Sequence, residues 1–160
     1  MSKFRNSFIP NSSSSSFIVI GNSGTYDTLR STEFDDTYVI GESGEAEFGW
    51  TPEDIQDIDS RINFCHLQSK YLDGRYDDMI ESVIKANSKI KHIHSILTDD
   101  YYSDISIDNN PPRYQTKWAY IDHQSAAIEG QNLEMFESES TLEKFIFDSG
   151  SYIHTDNDNH

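Results

Sequence analysis

Between residues 55 and 87 apolar side chains fall at helical spacing twice in succession, in the middle of a chain whose other apolar runs are only long enough for strands. Ile55, Ile58, Ile62, Cys65 and Leu72 follow one helical face, widened by Phe64, Leu67 and Tyr71. Thr51-Pro52-Glu53-Asp54 reads as its start, with a hydroxyl N-cap, a proline at the first helical position and acids in the first turn. Asp73-Gly74 reads as its end. From Tyr76 to Asn87, Met79, Ile80, Val83 and Ile84 repeat the period, and the short connection predicts an antiparallel helical hairpin.

Around this pair the chain reads as strands. Phe17 to Gly21 is a short apolar run closed by Gly21-Asn22-Ser23-Gly24, and Thr37-Tyr38-Val39-Ile40 is a second, closed by Gly41. Glu42 to Gly49 reads as an acidic loop. Ile90 to Leu97 alternates as a strand does, Ile105 and Ile107 suggest an edge strand, and Thr116 to Ile121 reads as one aromatic-faced strand. Ser140-Thr141-Leu142-Glu143 has the form of a capping box ahead of a short helix with Leu142, Phe145 and Ile146 inward. Ser151 to His154 reads as a last strand. Strands on both sides of a helical hairpin predict an α+β fold, with mixed α/β as the alternative. The expected arrangement is one domain over residues 1–160, a sheet with the hairpin and the late helix packed on it, and residues 155–160 as a candidate flexible tail.

Charge then narrows the partners. The 160 residues carry 28 acidic against 12 basic side chains, a formal net charge of -16. Such a field repels phosphate backbones and anionic membrane surfaces and favours a basic protein partner, for instance a basic host protein, including by mimicry of DNA. Neither direct nucleic-acid binding nor a membrane contact is expected, and no cofactor is implied. Cys65 is the one cysteine, so no intramolecular disulfide is available; a cytoplasmic setting is expected, with Cys65 in the core. No apolar run reaches signal-peptide or membrane-span length.

Asp122-His123-Gln124-Ser125 follows directly on a strand, where a scaffold can aim side chains into a crevice. His123 is the candidate acid-base group, with Asp122 and Ser125 as candidate catalytic neighbours; residues adjacent in sequence rarely have triad geometry, and a structural histidine is the commoner case. His92 and His94 would share one strand face, with His123, Asp122 and His154 as further donors, but nothing in the sequence unites them and surface histidines are the expectation, so no metal is assigned. Asp156-Asn157-Asp158-Asn159 begins like a calcium loop without its later ligands. Gly21-Asn22-Ser23-Gly24 suggests a phosphate loop but has neither the lysine nor a following helix.

Near the amino terminus Asn11 and the serines Ser12, Ser13, Ser14, Ser15 and Ser16 run into Phe17, with Phe4, Phe8 and Ile9 on the other flank. On composition the run reads equally as a disordered tail; the apolar flanks on both sides, together with the resemblance that follows, favour an ordered loop, whose hydroxyls and N–H groups, with Arg5 nearby, suit an anion. Arg5-Asn6-Ser7-Phe8-Ile9-Pro10-Asn11, the serines and Phe17 resemble the start of a family of small, mostly uncharacterised proteins of tailed phages and some bacteria, which open on Arg-Asn-Gly-Phe-Val-Ser-Asn, a serine run and Phe. Tyr120 to Ser125, and Phe145-Ile146-Phe147 through Ser151-Tyr152-Ile153 to Asn157-Asp158-Asn159, are similar to later segments of that family. This chain has Ser7 where the family has Gly, and Thr155-Asp156 where it has two glycines. The resemblance implies a phage or mobile-element setting. It also implies that the serine run, Asp122–Ser125 and Asn157, Asp158 and Asn159 meet as one polar binding site with Arg5. The function expected on these grounds is an acidic accessory protein acting through protein contacts. The alternatives are a small hydrolase or phosphate-handling enzyme around His123, and a virion component.

Overall fold

The computed structural model describes residues 16–32, 36–49, 51–98, 116–121 and 133–155. In chain order its elements are β1 (Phe17–Val19), β2 (Thr37–Ile40), β3 (Glu47–Phe48), β4 (Glu53–Ile55), α1 (Ile58–Lys70), α2 (Asp77–Ala86), β5 (His92–Ser95), β6 (Leu97–Thr98), β7 (Lys117–Trp118), β8 (Tyr120–Ile121), a 3-10 turn (Glu134–Phe136), α3 (Glu139–Phe147) and β9 (Tyr152–Thr155). The fold is α+β, as the alternation of strand runs around a helical pair requires.

The strands form two systems. β9 is the middle of a three-stranded antiparallel sheet, with β1 on one side and β4 on the other. Its register sets Phe17 opposite His154 and Asp54 opposite His154 from the far side, so one row runs Phe17, His154, Asp54 across the sheet. Alternation then turns Ile18, Ile153 and Ile55 to the core, where all three are buried. The second system consists of short parallel ladders, β2 with β5, β6 with β7, and β3 with β8. Backbone bonds extend each ladder: Ile96 N–H donates to Ile40 O (3.0 Å), Lys117 N–H to Ile96 O (2.7 Å) and Tyr120 N–H to Ala46 O (3.0 Å).

Helix α1 is the centre of the packing. An amphipathic stripe was the expectation; instead Ser60, Arg61, Asn63, Gln68 and Ser69 are buried together with Ile62, Phe64, Cys65 and Leu67. Polar groups on a helix enclosed on every side must find partners, since an unpaired one costs about 1–3 kcal/mol. Most of them find them in loops, while among the described residues Arg61 Nε donates no hydrogen bond and Asn63 Oδ1 accepts none. Ser60 Oγ accepts from Glu45 N–H (2.7 Å), and Asn63 Nδ2 donates to Ser43 O (2.9 Å) and Glu45 O (2.8 Å). At the other end Ser69 Oγ donates to Asp77 Oδ1 (2.8 Å) and accepts from Tyr76 N–H (2.9 Å), tying the first helix to the second. Cys65 is fully buried, and burial pushes its thiol well above the usual range, partly opposed by Arg61.

Several boundaries differ from the sequence reading. The helix does not start at Thr51: Glu53–Ile55 pairs with β9, Thr51 O accepts from Thr155 Oγ1 (2.6 Å), and Asp57 is the N-cap, its carboxylate accepting from Ser60 N–H (3.0 Å). Strand pairing outweighs the local proline signal, which suits the position before an edge strand equally well. The acidic loop contains β3, because Glu47 and Phe48 meet β8. The strand expected over 116–121 divides at Ala119, since Lys117–Trp118 and Tyr120–Ile121 pair with different partners. The last helix starts two residues before the capping box, with Ser138 Oγ accepting from Thr141 N–H (3.0 Å). Leu142, Phe145 and Ile146 are buried as the period predicts. Thr155, grouped with the tail in the sequence reading, is the buried end of β9.

Candidate functional site

Most of the residues singled out from the sequence, namely Arg5, Asn11, Ser12 to Ser15, Asp122, His123, Ser125, Asn157, Asp158 and Asn159, lie outside the described residues. Their points of attachment are described. Antiparallel pairing of Phe17 with His154 sets Ser16, where the serine run joins β1, at the same end of the sheet as Thr155, where the chain leaves for Asp156. Asp122 follows Ile121, the carboxy end of a parallel strand. His92 and His94 are exposed on β5, in a different sheet from His154, whose Nδ1 lies 2.7 Å from Asp54 Oδ1 while Phe17 stacks on its ring (centroids 4.7 Å). Among the described residues no three potential metal ligands cluster.

The glycine loop after β1 does bind an anion, and the anion is the protein's own. Asp148, at the end of α3, turns its carboxylate into Gly21-Asn22-Ser23-Gly24. Its Oδ1 accepts from Ser23 N–H (3.1 Å), Ser23 Oγ (2.8 Å) and Gly150 N–H (2.8 Å), and its Oδ2 accepts from Gly24 N–H (3.1 Å). Burial pushes this carboxyl up, but the donors from Gly150, Ser23 and Gly24 outweigh it and hold its pKa down at about 2. Gly21 is required because a Cβ there would sit 2.4 Å from Asp148 Oδ1. No phosphate is needed to fill this loop.

Beneath it lies Arg61, fully buried on α1. Its Nη1 donates to Asp148 O (2.5 Å) and Phe145 O (3.3 Å), and its Nη2 donates to Asp27. The arginine thus fixes the end of α3 and the chain after β1 to the central helix. Nothing in the sequence marks Arg61 apart from its being a charge among apolar neighbours.

Beside Asp27 the surface opens into two adjoining clefts. One, of about 420 Å³, is lined by Thr28, Arg30, Ser31, Glu42, Ser43, Asp59 and their neighbours; the other, of about 600 Å³, by Asp27, Thr28, Arg30, Gln56, Asp57, Ile58 and Ser149. They meet at Thr28, Arg30 and Ile58. The carboxylates here have assigned work: Asp27 pairs with Arg61, Asp57 caps α1, and Asp59 accepts from the buried Tyr38 hydroxyl (2.6 Å). Burial, followed by the charge of Asp59, pushes the Tyr38 phenol far above its usual range.

The clefts border an acidic ridge. From Glu42 to Asp59 the chain carries Glu42, Glu45, Glu47, Glu53, Asp54, Asp57 and Asp59 with no lysine or arginine, and all but Asp59 are exposed. Burial, then the neighbouring Glu45 charge, raises the Glu53 carboxyl. On sequence this stretch reads as a loop and a helix start, with its acids in plain view.

No family model matches the chain, and neither a curated protein nor a solved structure matches it. The described residues contain no helix long and apolar enough to cross a membrane.

Proposed function

We propose that this chain is an acidic accessory protein, of the phage type its amino-terminal motif resembles, that acts in the host cytoplasm by presenting the ridge from Glu42 to Asp59 to a basic protein. The carrying observation is the stretch from Glu42 to Asp59, whose seven acids, six of them exposed, have no lysine or arginine among them. Like charges held together destabilise the free protein, and a basic partner relieves that cost on binding. Rigid support favours this use: Asn63 and Ser60 hold the backbone of Ser43 and Glu45 from inside.

The test is affinity capture from host lysate with the wild-type chain and with the Glu45→Gln, Glu47→Gln, Glu53→Gln triple variant. A defined basic protein should stay on the wild type at low salt, leave as ionic strength rises towards about 0.5 M, and be absent from the variant. Identical captures by both proteins would overturn the reading.

A second reading, a small hydrolase, has one observation in its favour. Asp122-His123 follow the carboxy end of parallel strand β8, where sheets of this kind place ligand-binding loops. Under it, His123→Ala should fold normally and lose function; full biological activity in the folded variant would remove it.

A further inference from the structure

We propose that the twin cleft around Arg30 seats the free carboxyl terminus of a basic polypeptide, its carboxylate on the Arg30 guanidinium and its lysines or arginines on the acidic ridge. The proposal rests on the reading above and sharpens it by naming the part of the partner that docks.

Arg30 is exposed, and among the described residues no hydrogen bond or ion pair engages its guanidinium. That is unexpected for a cation whose two clefts are lined by Asp27, Glu42, Asp57 and Asp59. Three of those carboxylates are held elsewhere, by Arg61, by the Ser60 amide and hydroxyl, and by the Tyr38 hydroxyl. With those three engaged, Arg30 stands as a planar, bidentate donor open where the two clefts meet.

What such a donor takes is an oxyanion, yet a free polyanion is repelled by a chain of net charge -16. An anion carried on a cationic body satisfies both conditions. A polypeptide ending in a carboxylate behind lysines or arginines is such a body, and a chain end can enter a cleft without a second length of backbone having to leave it. Thr28 and Ser31 line these clefts and offer hydroxyls as further donors.

The deciding experiment uses three dye-labelled octapeptides of lysine, glycine and serine, read by fluorescence anisotropy: one with a free carboxyl terminus, one amidated, and one amidated with an internal glutamate. Attraction by net charge alone makes the amidated peptide, with its extra positive charge, the tighter ligand. The carboxylate seat reverses that order, with the free acid about tenfold tighter on the wild type and the ratio near one on Arg30→Gln. Arg30→Gln should fold normally, because the side chain it removes is exposed and unpartnered; circular dichroism checks this. If the amide binds as well as the free acid while both are lost in the triple glutamine variant, the carboxylate seat is overturned and the acidic-ridge reading stands. If the internal-glutamate peptide equals the free acid, the chain-end assignment is overturned. If no peptide binds, both readings fall.

Discussion

Asp148→Asn removes a single charge from the loop that follows β1 and leaves the side-chain shape almost unchanged. In the wild type the carboxylate accepts four hydrogen bonds, three on Oδ1 and one on Oδ2. The asparagine oxygen can keep the three donors at Oδ1, but its NH₂ then faces the Gly24 N–H, donor against donor. Losing one charge-assisted bond costs about 1.5–3 kcal/mol, and the remaining three weaken from charged to neutral, so a total of about 2–4 kcal/mol is expected. With a urea m-value of about 2 kcal/mol/M, the midpoint should fall by about 1–2 M at pH 7. The pH dependence fixes the cause. The folded-state pKa is about 2, below the unfolded value of about 3.9, so the carboxylate's contribution is complete above about pH 4 and is lost as pH falls through about 2. The gap between wild type and variant should therefore be constant from pH 5 to 7 and close towards pH 2. A midpoint shift under about 0.3 M at pH 7, or a gap unchanged down to pH 2, would refute the account of this loop as a site filled by the protein's own anion.

Two further outcomes follow from the described contacts. Arg61→Met should cost about 3–5 kcal/mol by thermal or urea unfolding, because it strips partners from Asp27, Phe145 O and Asp148 O; Arg61→Lys should recover little, since one ammonium cannot reach acceptors on two separate segments as the fork does. Ser138→Ala should lose about 1 kcal/mol and Ser140→Ala almost nothing, and equal losses in the two would move the start of α3.

The periodic part of this fold is plain in the residues. Val83 and Ile84 on α2, and Leu142, Phe145 and Ile146 on α3, lie inside because the 3.6-residue repeat leaves them nowhere else to go. Thr37–Ile40 was legible for the same reason, as a compact β-branched and aromatic run closed by Gly41, whose φ of +102° suits glycine. What stayed hidden depends on partners distant in sequence. Glu53–Ile55 is a strand only because β9 lies beside it, nearly a hundred positions later. Asp148 looks like any acid after a helix until Ser23 and Gly24 are placed against it, and Arg61 looks like a surface cation until the helix around it is seen to be enclosed. The acids lining the clefts were legible in composition and not in geometry, because what Asp27, Asp57 and Asp59 bond to depends on where Arg61, Ser60 and Tyr38 lie in the fold.

The placement of β9 in the middle of its sheet has a consequence for how the chain is made. Until Tyr152–Thr155 has left the ribosome, β1 and β4 have no common neighbour, and two strand edges are open for as long as some hundred residues take to be synthesised. Glu53 and Asp54 guard one of those edges with charge, while Phe17, Ile18 and Val19 leave the other apolar. A nascent chain stalled before residue 152 should be held by chaperones through its first strand, and release from them should coincide with translation of the last.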